Sequence, residues 1–490
     1  MYAKKLICNS DTNFVTLMMM QEKDGKAYPT EQQLADIVKG VRAEKLEAYV
    51  DHVKNEPLIA QLPKAGKIKK TVENKVLGYK ELTLSNGAKV IMKKTDFKDN
   101  EILFSAKAKV GYSAFEKADQ SSVMLMTQAL DASGLGNFTS AELEKAMAGK
   151  QASVNFTMDP FYHGLSGKST PKDIETLMQL IYLDMTAVKK DEKSFANLQN
   201  TYATILANQS NNPNLVFQDS VQSTVYLGSK LARIPSADDI KAINYDRLLA
   251  MGRQYYGNAK DFTFYFVGNY DEATLLPLIE QYIASLPAKG STLQNKDIPY
   301  AKGKVSNVFT KAMSNPQNQV QEMWYAKMPY TLKADVLADV AARLLEMKYL
   351  RSIREELSAA YHAGATASIF PDKDGLVAVN IVGSAQLNPE KSDAAIPCFF
   401  QGMKEVVAGA DAADLQKVKE ILLKQADVDS RENSHWLSVL ITYATRGVDT
   451  HTDYKTTVNE IDSKQISDFL QNTILKSGNH VEVIMKAVKE

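Results

Sequence analysis

Apolar residues return at helical spacing through one stretch of this chain, at Val336, Leu337, Val340, Leu344, Leu345, Ile353 and Leu357. After Tyr361 the residues turn small and mixed, and an extended-looking run follows from Gly375 to Val382. The pattern predicts a helix feeding a strand, with Arg354 near the helix end and Tyr361 at or near the strand start. A guanidinium and a phenol so placed can face one another across the turn, two donors suited to a carbonyl or carboxylate. The competing reading pairs Arg354 with a neighbouring glutamate and half-buries Tyr361 in a core.

A second pattern is a terminal strand that occurs three times. Phe14 to Met20 is an apolar strand-like run, followed by a turn and a helix through about Tyr49, with Thr30 and Gln33 as its capping box. The same order recurs at Phe262–Gly268, followed by a helix from about Glu272 to Leu286, and begins again at Val481–Met485. Residues 1–49 therefore read as the trailing strand and helix of a preceding domain. Residues 50–74 are rich in Lys, Pro and Glu without a clear period, and read as an extended linker.

A strand at Tyr79–Leu84, a turn at Ser85-Asn86-Gly87 and a partner strand at Ala88–Met92 open the next domain. A strand from Glu101 to Val110 follows, then helices at about 119–132 and 139–149, extended residues 152–168, a helix opened by Pro171 and another at about 191–208. Pro171 lies 27 and 41 residues before Leu198 and Asn212, and Pro389 lies 26 and 44 before Leu415 and Asn433. Two similar units thus follow one another about 218 residues apart, at 75–290 and 303–490 with a joint at 291–302. The predicted class is α+β: two repeated units, each a mostly antiparallel sheet covered by helices on one face.

Composition narrows the function. With 58 basic and 58 acidic side chains the net charge is zero, and no basic cluster exceeds Lys67-Ile68-Lys69-Lys70, so nucleic acid is not expected as a partner. Cys8 and Cys398 cannot make a disulfide framework. No apolar run approaches the roughly 18 residues of a membrane span. Met1–Leu6 lacks the apolar region of a signal peptide. The expectation is a soluble protein of the cytoplasm or periplasm, with no membrane span.

Self-contained chemistry is missing. No two of the six histidines stand three or four residues apart, the spacing that sets two imidazoles on one helix face for a metal, and His52 with Glu56 lies beside Pro57 in the linker. Gly134–Phe138 lacks the third glycine of a dinucleotide loop, and Gly167-Lys168-Ser169 lacks the glycine that a phosphate loop needs. Asp159–His163 reads as aromatic packing.

The repeat, the terminal strands and Arg354-Glu355-Glu356-Leu357-Ser358-Ala359-Ala360-Tyr361 together make the chain resemble the pitrilysin/insulinase family of zinc metallopeptidases. Leu84–Lys98, Phe266–Asn269, Asp414–Glu420 and Arg431–Trp436 carry the likeness further. Long members of that family have four such domains, forming two bowl-shaped halves around a peptide chamber, with zinc in the first. The resemblance implies that this chain is the C-terminal, non-zinc half. The family's His-x-x-Glu-His helix would fall at Ser121–Gln128, which holds neither histidine nor glutamate. No metal is expected in this chain; zinc is expected in a zinc-bearing half or subunit of the same family.

By the same resemblance Arg354 and Tyr361 would bind the substrate, a peptide or unfolded polypeptide, and help stabilise the oxyanion as hydrolysis proceeds. The chain alone is expected to be inactive. The alternative implied function is a catalytically inactive peptidase-like binding or scaffold subunit.

Overall fold

The structure, a computed structural model, describes residues 15–20, 25–45, 54–290, 292–372 and 375–489. It divides into two compact units, residues 1–53 and 54–490. In the smaller unit, helix α1 (Glu31–Ala43) opens on the expected capping box: Gln33 N–H donates to Thr30 Oγ1 at 3.2 Å and Thr30 N–H to Gln33 Oε1 at 2.9 Å. The helix stops at Ala43 because Glu44 leaves the helical region, and residues 46–49 lie outside the described residues. The strand expected at 14–20 does not form over its described part. Val15–Met20 are irregular and exposed, and no described strand supplies the ladder that a strand backbone requires.

The larger unit contains both repeats. In the first, β1 (Ile68–Asn74), β2 (Tyr79–Leu84), β3 (Lys89–Lys94), β4 (Ile102–Lys109), β5 (Ala152–Met158), β6 (Tyr162–Ser169) and β7 (Phe262–Gly268) form one sheet in the order β1-β2-β3-β7-β4-β6-β5. Only β3 and β7 pair in parallel. β1 corrects the reading of residues 68–74 as linker: it pairs with β2 as an exposed edge strand. Edge strands are kept solvated by charges such as Lys69, Lys70 and Glu73, and these erase the apolar alternation that would mark a strand. Gly87, at φ +87°, makes the β2–β3 turn.

The helix expected over 119–132 is broken into a 3-10 segment, Lys117–Ser122, and a short α-helix, Met126–Asp131. Helix α2 (Pro213–Val225) follows the two long helices, its first turn capped by Asn212. Asn212 thus ends the 3-10 turn Gln209–Asn211 that follows the second long helix, and with Pro213 opens the next.

The second repeat has a five-stranded sheet. Strands β8 (Lys304–Met313), β9 (Asn318–Pro329), β10 (Ala363–Pro371), β11 (Leu376–Leu387) and β12 (His480–Lys489) lie in the order β8-β12-β9-β11-β10. Here β8 and β12 are the parallel pair, so the sheet repeats the β3-β7-β4-β6-β5 order of the first. The start of β7 at 262 and of β12 at 480 are 218 residues apart, as the sequence repeat predicts. Helix α3 (Leu332–Tyr349), Ser392–Ala408 and Ala412–Asp429 cover one face, burying Val340, Leu344, Leu345, Phe399 and Val418. Among the described residues no helix is long and apolar enough to cross a membrane.

Both sheets are covered on their second face as well, each by a helix from the other repeat. From the first repeat, α2 packs Phe217, Val221 and Val225 on Met323, Tyr325, Val481, Val483 and Met485. From the second, helix α4 (Asn433–Arg446) packs Val439 and Leu440 on Tyr79, Ile91, Tyr265 and Val267. The two helices begin 220 residues apart, at 213 and 433, so the exchange is reciprocal. Polar groups fix α4 in place. Buried Asn433 accepts from Thr95 Oγ1 at 2.5 Å and donates to Glu101 Oε1 at 2.9 Å. Lys93 Nζ sits 3.8 Å over the Trp436 ring.

Candidate functional site

Arg354 and Tyr361 are brought together on the turn the sequence predicts. α3 is capped by Thr331, whose Oγ1 accepts from Ala334 N–H at 3.1 Å, and its apolar face ends in the buried Tyr349 and Ile353. At Leu350–Glu356 the helix widens into a π turn, with Leu357 N–H donating to Ser352 O at 3.1 Å. Such turns re-phase the side chains that follow. Ile353 points inward from it while Arg354 points to solvent.

Ser358, at φ +47°, occupies the left-handed region that few non-glycine residues adopt, and there the chain reverses toward β10. The reversal is held from below. Lys391 Nζ donates to the carbonyls of Leu357 and Ser358 at 2.9 and 3.2 Å, and Asn388 N–H donates to Ala359 O at 2.8 Å. Tyr361 is therefore carried on a braced loop, yet its side chain is 91% exposed. The Arg354 Cζ lies 5.6 Å from the centre of its ring. Among the described residues no carboxylate pairs with Arg354, and Tyr361 takes no place in the core, so the competing reading of both side chains is not what the fold shows. A planar guanidinium and a phenolic hydroxyl, side by side and open to solvent, offer directed donors to an incoming carbonyl or carboxylate.

The stretch where the family's zinc motif would fall offers no ligands. Ser121–Gln128 spans the end of a 3-10 segment and the start of a short helix without a metal-binding side chain, and among the described residues no three His, Cys, Asp or Glu side chains converge. His52 lies outside the described residues. His163 is buried among Tyr255, Tyr256 and Phe262, its ring nitrogens 2.6 and 2.8 Å from the carbonyls of Val110 and Tyr255, the packing role its neighbours suggest. Leu135 and Phe138 exchange backbone hydrogen bonds, which makes Gly134–Phe138 a turn.

Two constellations escape the sequence because their members are distant in it. His435 Nε2 and His451 Nδ1, sixteen residues apart, meet at 3.0 Å. Glu322 in β9 and His480 in β12 meet at 2.7 Å on the sheet face covered by Ser392–Ala408, beside Trp324 and Phe400. Only the cross-strand register of β9 and β12 makes the second pair, and no spacing rule reports it.

Residues 242–422 match the profile of the peptidase M16 inactive domain. The chain is 24% identical over 398 residues to the probable zinc protease PqqL of Escherichia coli K12, covering 79% of this chain and 41% of that protein. It is 24% identical over 447 residues to a zinc protease PQQL-like protein of Arabidopsis thaliana, covering 86% of this chain and 43% of that one. The chain thus spans less than half the length of these relatives. The crystal structure of the periplasmic protease PqqL from Escherichia coli shares the fold with a TM-score of 0.77 at 20% identity, over 94% of this chain and 51% of that one.

Proposed function

Because this chain carries the inactive domain of the peptidase M16 family and shares the fold of a zinc protease of about twice its length, we propose that it is the non-zinc half of a zinc-dependent metallopeptidase. In this reading it holds a peptide or unfolded polypeptide in a chamber completed by a zinc-bearing half or subunit. Zinc bound in that half would activate the water. In this chain Arg354 orients the substrate backbone through its fixed fork of donors, and the Tyr361 hydroxyl donates to the oxygen that gains charge. The residues divide as the earlier reading has them: 1–49 trail a preceding domain and 75–290 and 303–490 are the two peptidase-like domains, with the start of the first moved back to about Ile68 by the pairing of β1.

The observation that carries the proposal is the braced loop that leaves Tyr361 91% exposed beside Arg354. A large aromatic ring held in water by a braced loop is an arrangement that packing alone does not reward. The periplasmic setting of the Escherichia coli relative favours the periplasm for this chain.

The test is reconstitution with a zinc-bearing half. The chain alone is expected to leave an unstructured peptide intact. The reconstituted enzyme is expected to cut it, with Arg354→Ala and Tyr361→Phe lowering kcat/KM on the order of a hundredfold, as loss of an oxyanion donor does elsewhere. Unchanged turnover in both variants would favour the catalytically inactive scaffold subunit instead.

A further inference from the structure

We propose that His435 and His451 form a binding site for a borderline-soft divalent transition-metal ion, Cu²⁺, Ni²⁺ or Zn²⁺. His435 lies in the first turn of α4 and His451 in the loop that follows the helix. Their Nε2 and Nδ1 atoms stand 3.0 Å apart, with ring centres at 5.1 Å. Two imidazole nitrogens bound at about 2.1 Å to one ion are about 3.0 Å apart at a right angle and about 3.4 Å apart at a tetrahedral angle. The pair therefore has the separation of two cis ligands of a tetragonal ion, and opens by only a few tenths of an ångström for a tetrahedral one.

Their present hydrogen bond places a proton on one of the two facing nitrogens; an ion is accommodated when that histidine carries its proton on its other ring nitrogen, which leaves both facing lone pairs free and both rings neutral.

The two rings open onto a cavity of about 450 Å³ lined also by Asp429, Gln425, Thr450 and Tyr454, which leaves room for an ion and its waters. Asp429 supplies the negative charge nearest His435, and Lys455, the cation on this cavity, is held by Asp427. With two nitrogen ligands and water for the rest, the site discriminates against Mg²⁺ and Ca²⁺, which demand oxygen. An ion here would tie the start of α4 to the loop beyond its end. Trp436, its ring centre 4.2 Å from that of His451 at a tilt of 50° and lying under Lys93 of the first repeat, joins this clamp to the contact between the repeats.

The experiment is calorimetric titration of the full, untagged chain with ZnCl₂, NiCl₂ and CuCl₂, with MgCl₂ as the control. One ion per chain is expected, with no saturable binding of Mg²⁺. His435→Gln and His451→Gln are each expected to weaken binding at least roughly tenfold, no less than loss of an outer-shell partner costs. A second readout does not depend on the histidine variants folding: Cu²⁺ should quench the fluorescence of Trp436 in the unsubstituted chain, and Trp436→Phe should abolish that quenching while binding persists. No saturable binding of any of the three ions, binding undiminished in both histidine variants, or quenching that survives Trp436→Phe would overturn the site.

Discussion

Replacing Glu322 by glutamine should make the protein more stable above neutral pH, by an amount the structure sets. Glu322 is fully buried in the middle of β9, with Oε2 2.7 Å from His480 Nε2 and Oε1 without a hydrogen-bond partner. Burial pushes its carboxyl up to about 7 from the ordinary 4.5, with nearby Glu482 adding to the shift and the His480 hydrogen bond opposing it. Below 4.5 the folded and unfolded chains both hold this proton. Between 4.5 and 7 the folded chain holds one proton more, so stability falls as pH rises through this window. At about 1.4 kcal/mol per pH unit, the loss at pH 8 relative to pH 4.5 is roughly 3 kcal/mol.

Glutamine keeps the shape and a hydrogen bond to His480 but has no charge to bury. Urea unfolding of the wild type and Glu322→Gln, followed by circular dichroism at steps from pH 5 to pH 8, is the assay. The variant's advantage should grow with pH by roughly 3 kcal/mol and level off above 7. Two stability curves that stay parallel within about 0.5 kcal/mol would show that the buried carboxyl is not the source of the pH dependence and that the reasoning is wrong.

Asn433→Ala removes the buried hydrogen bond from Thr95 and the partly buried one to Glu101, and should cost about 1–3 kcal/mol in unfolding free energy. A neutral result would show that the joint is not held there. Gly383→Ala places a methyl 2.7 Å from Phe399 Cδ1 and 3.0 Å from Tyr349 Cε2, both buried rings, and should lower the urea midpoint by an amount equivalent to about 1–3 kcal/mol. Tyr361→Phe should leave unfolding unchanged within about 0.5 kcal/mol, because the hydroxyl it deletes belongs to an exposed side chain. Destabilisation beyond that would make Tyr361 a structural residue after all.

What could be read in advance was whatever leaves a local trace. Gly87 in its turn, the Thr30–Gln33 cap, Pro171 at a helix start and the apolar run Phe262–Gly268 each act within a few residues, and each is where the pattern puts it. Arg354 and Tyr361 were legible for the same reason: a helix end and a strand start seven residues apart leave little freedom. β1 was lost because a solvated edge strand has no apolar face to display. The His435–His451 and Glu322–His480 pairs were lost because they are made by the folded topology, across sixteen and 158 residues. The double covering of the sheets did leave a sign. β7 is buried at nearly every position, the near-continuous apolar run of a strand with both faces covered, and it was read only as a terminal strand.

The helix exchange separates the unit of repetition from the unit of folding. The sequence divides at 291–302, but a cut there would strip α4 from Tyr79, Ile91, Tyr265 and Val267, and α2 from Met323, Val481 and Met485. Each fragment would keep its own helix-covered core and gain a bare apolar sheet face together with an amphipathic helix that had lost its seat. The two copies are clasped, each finishing the other.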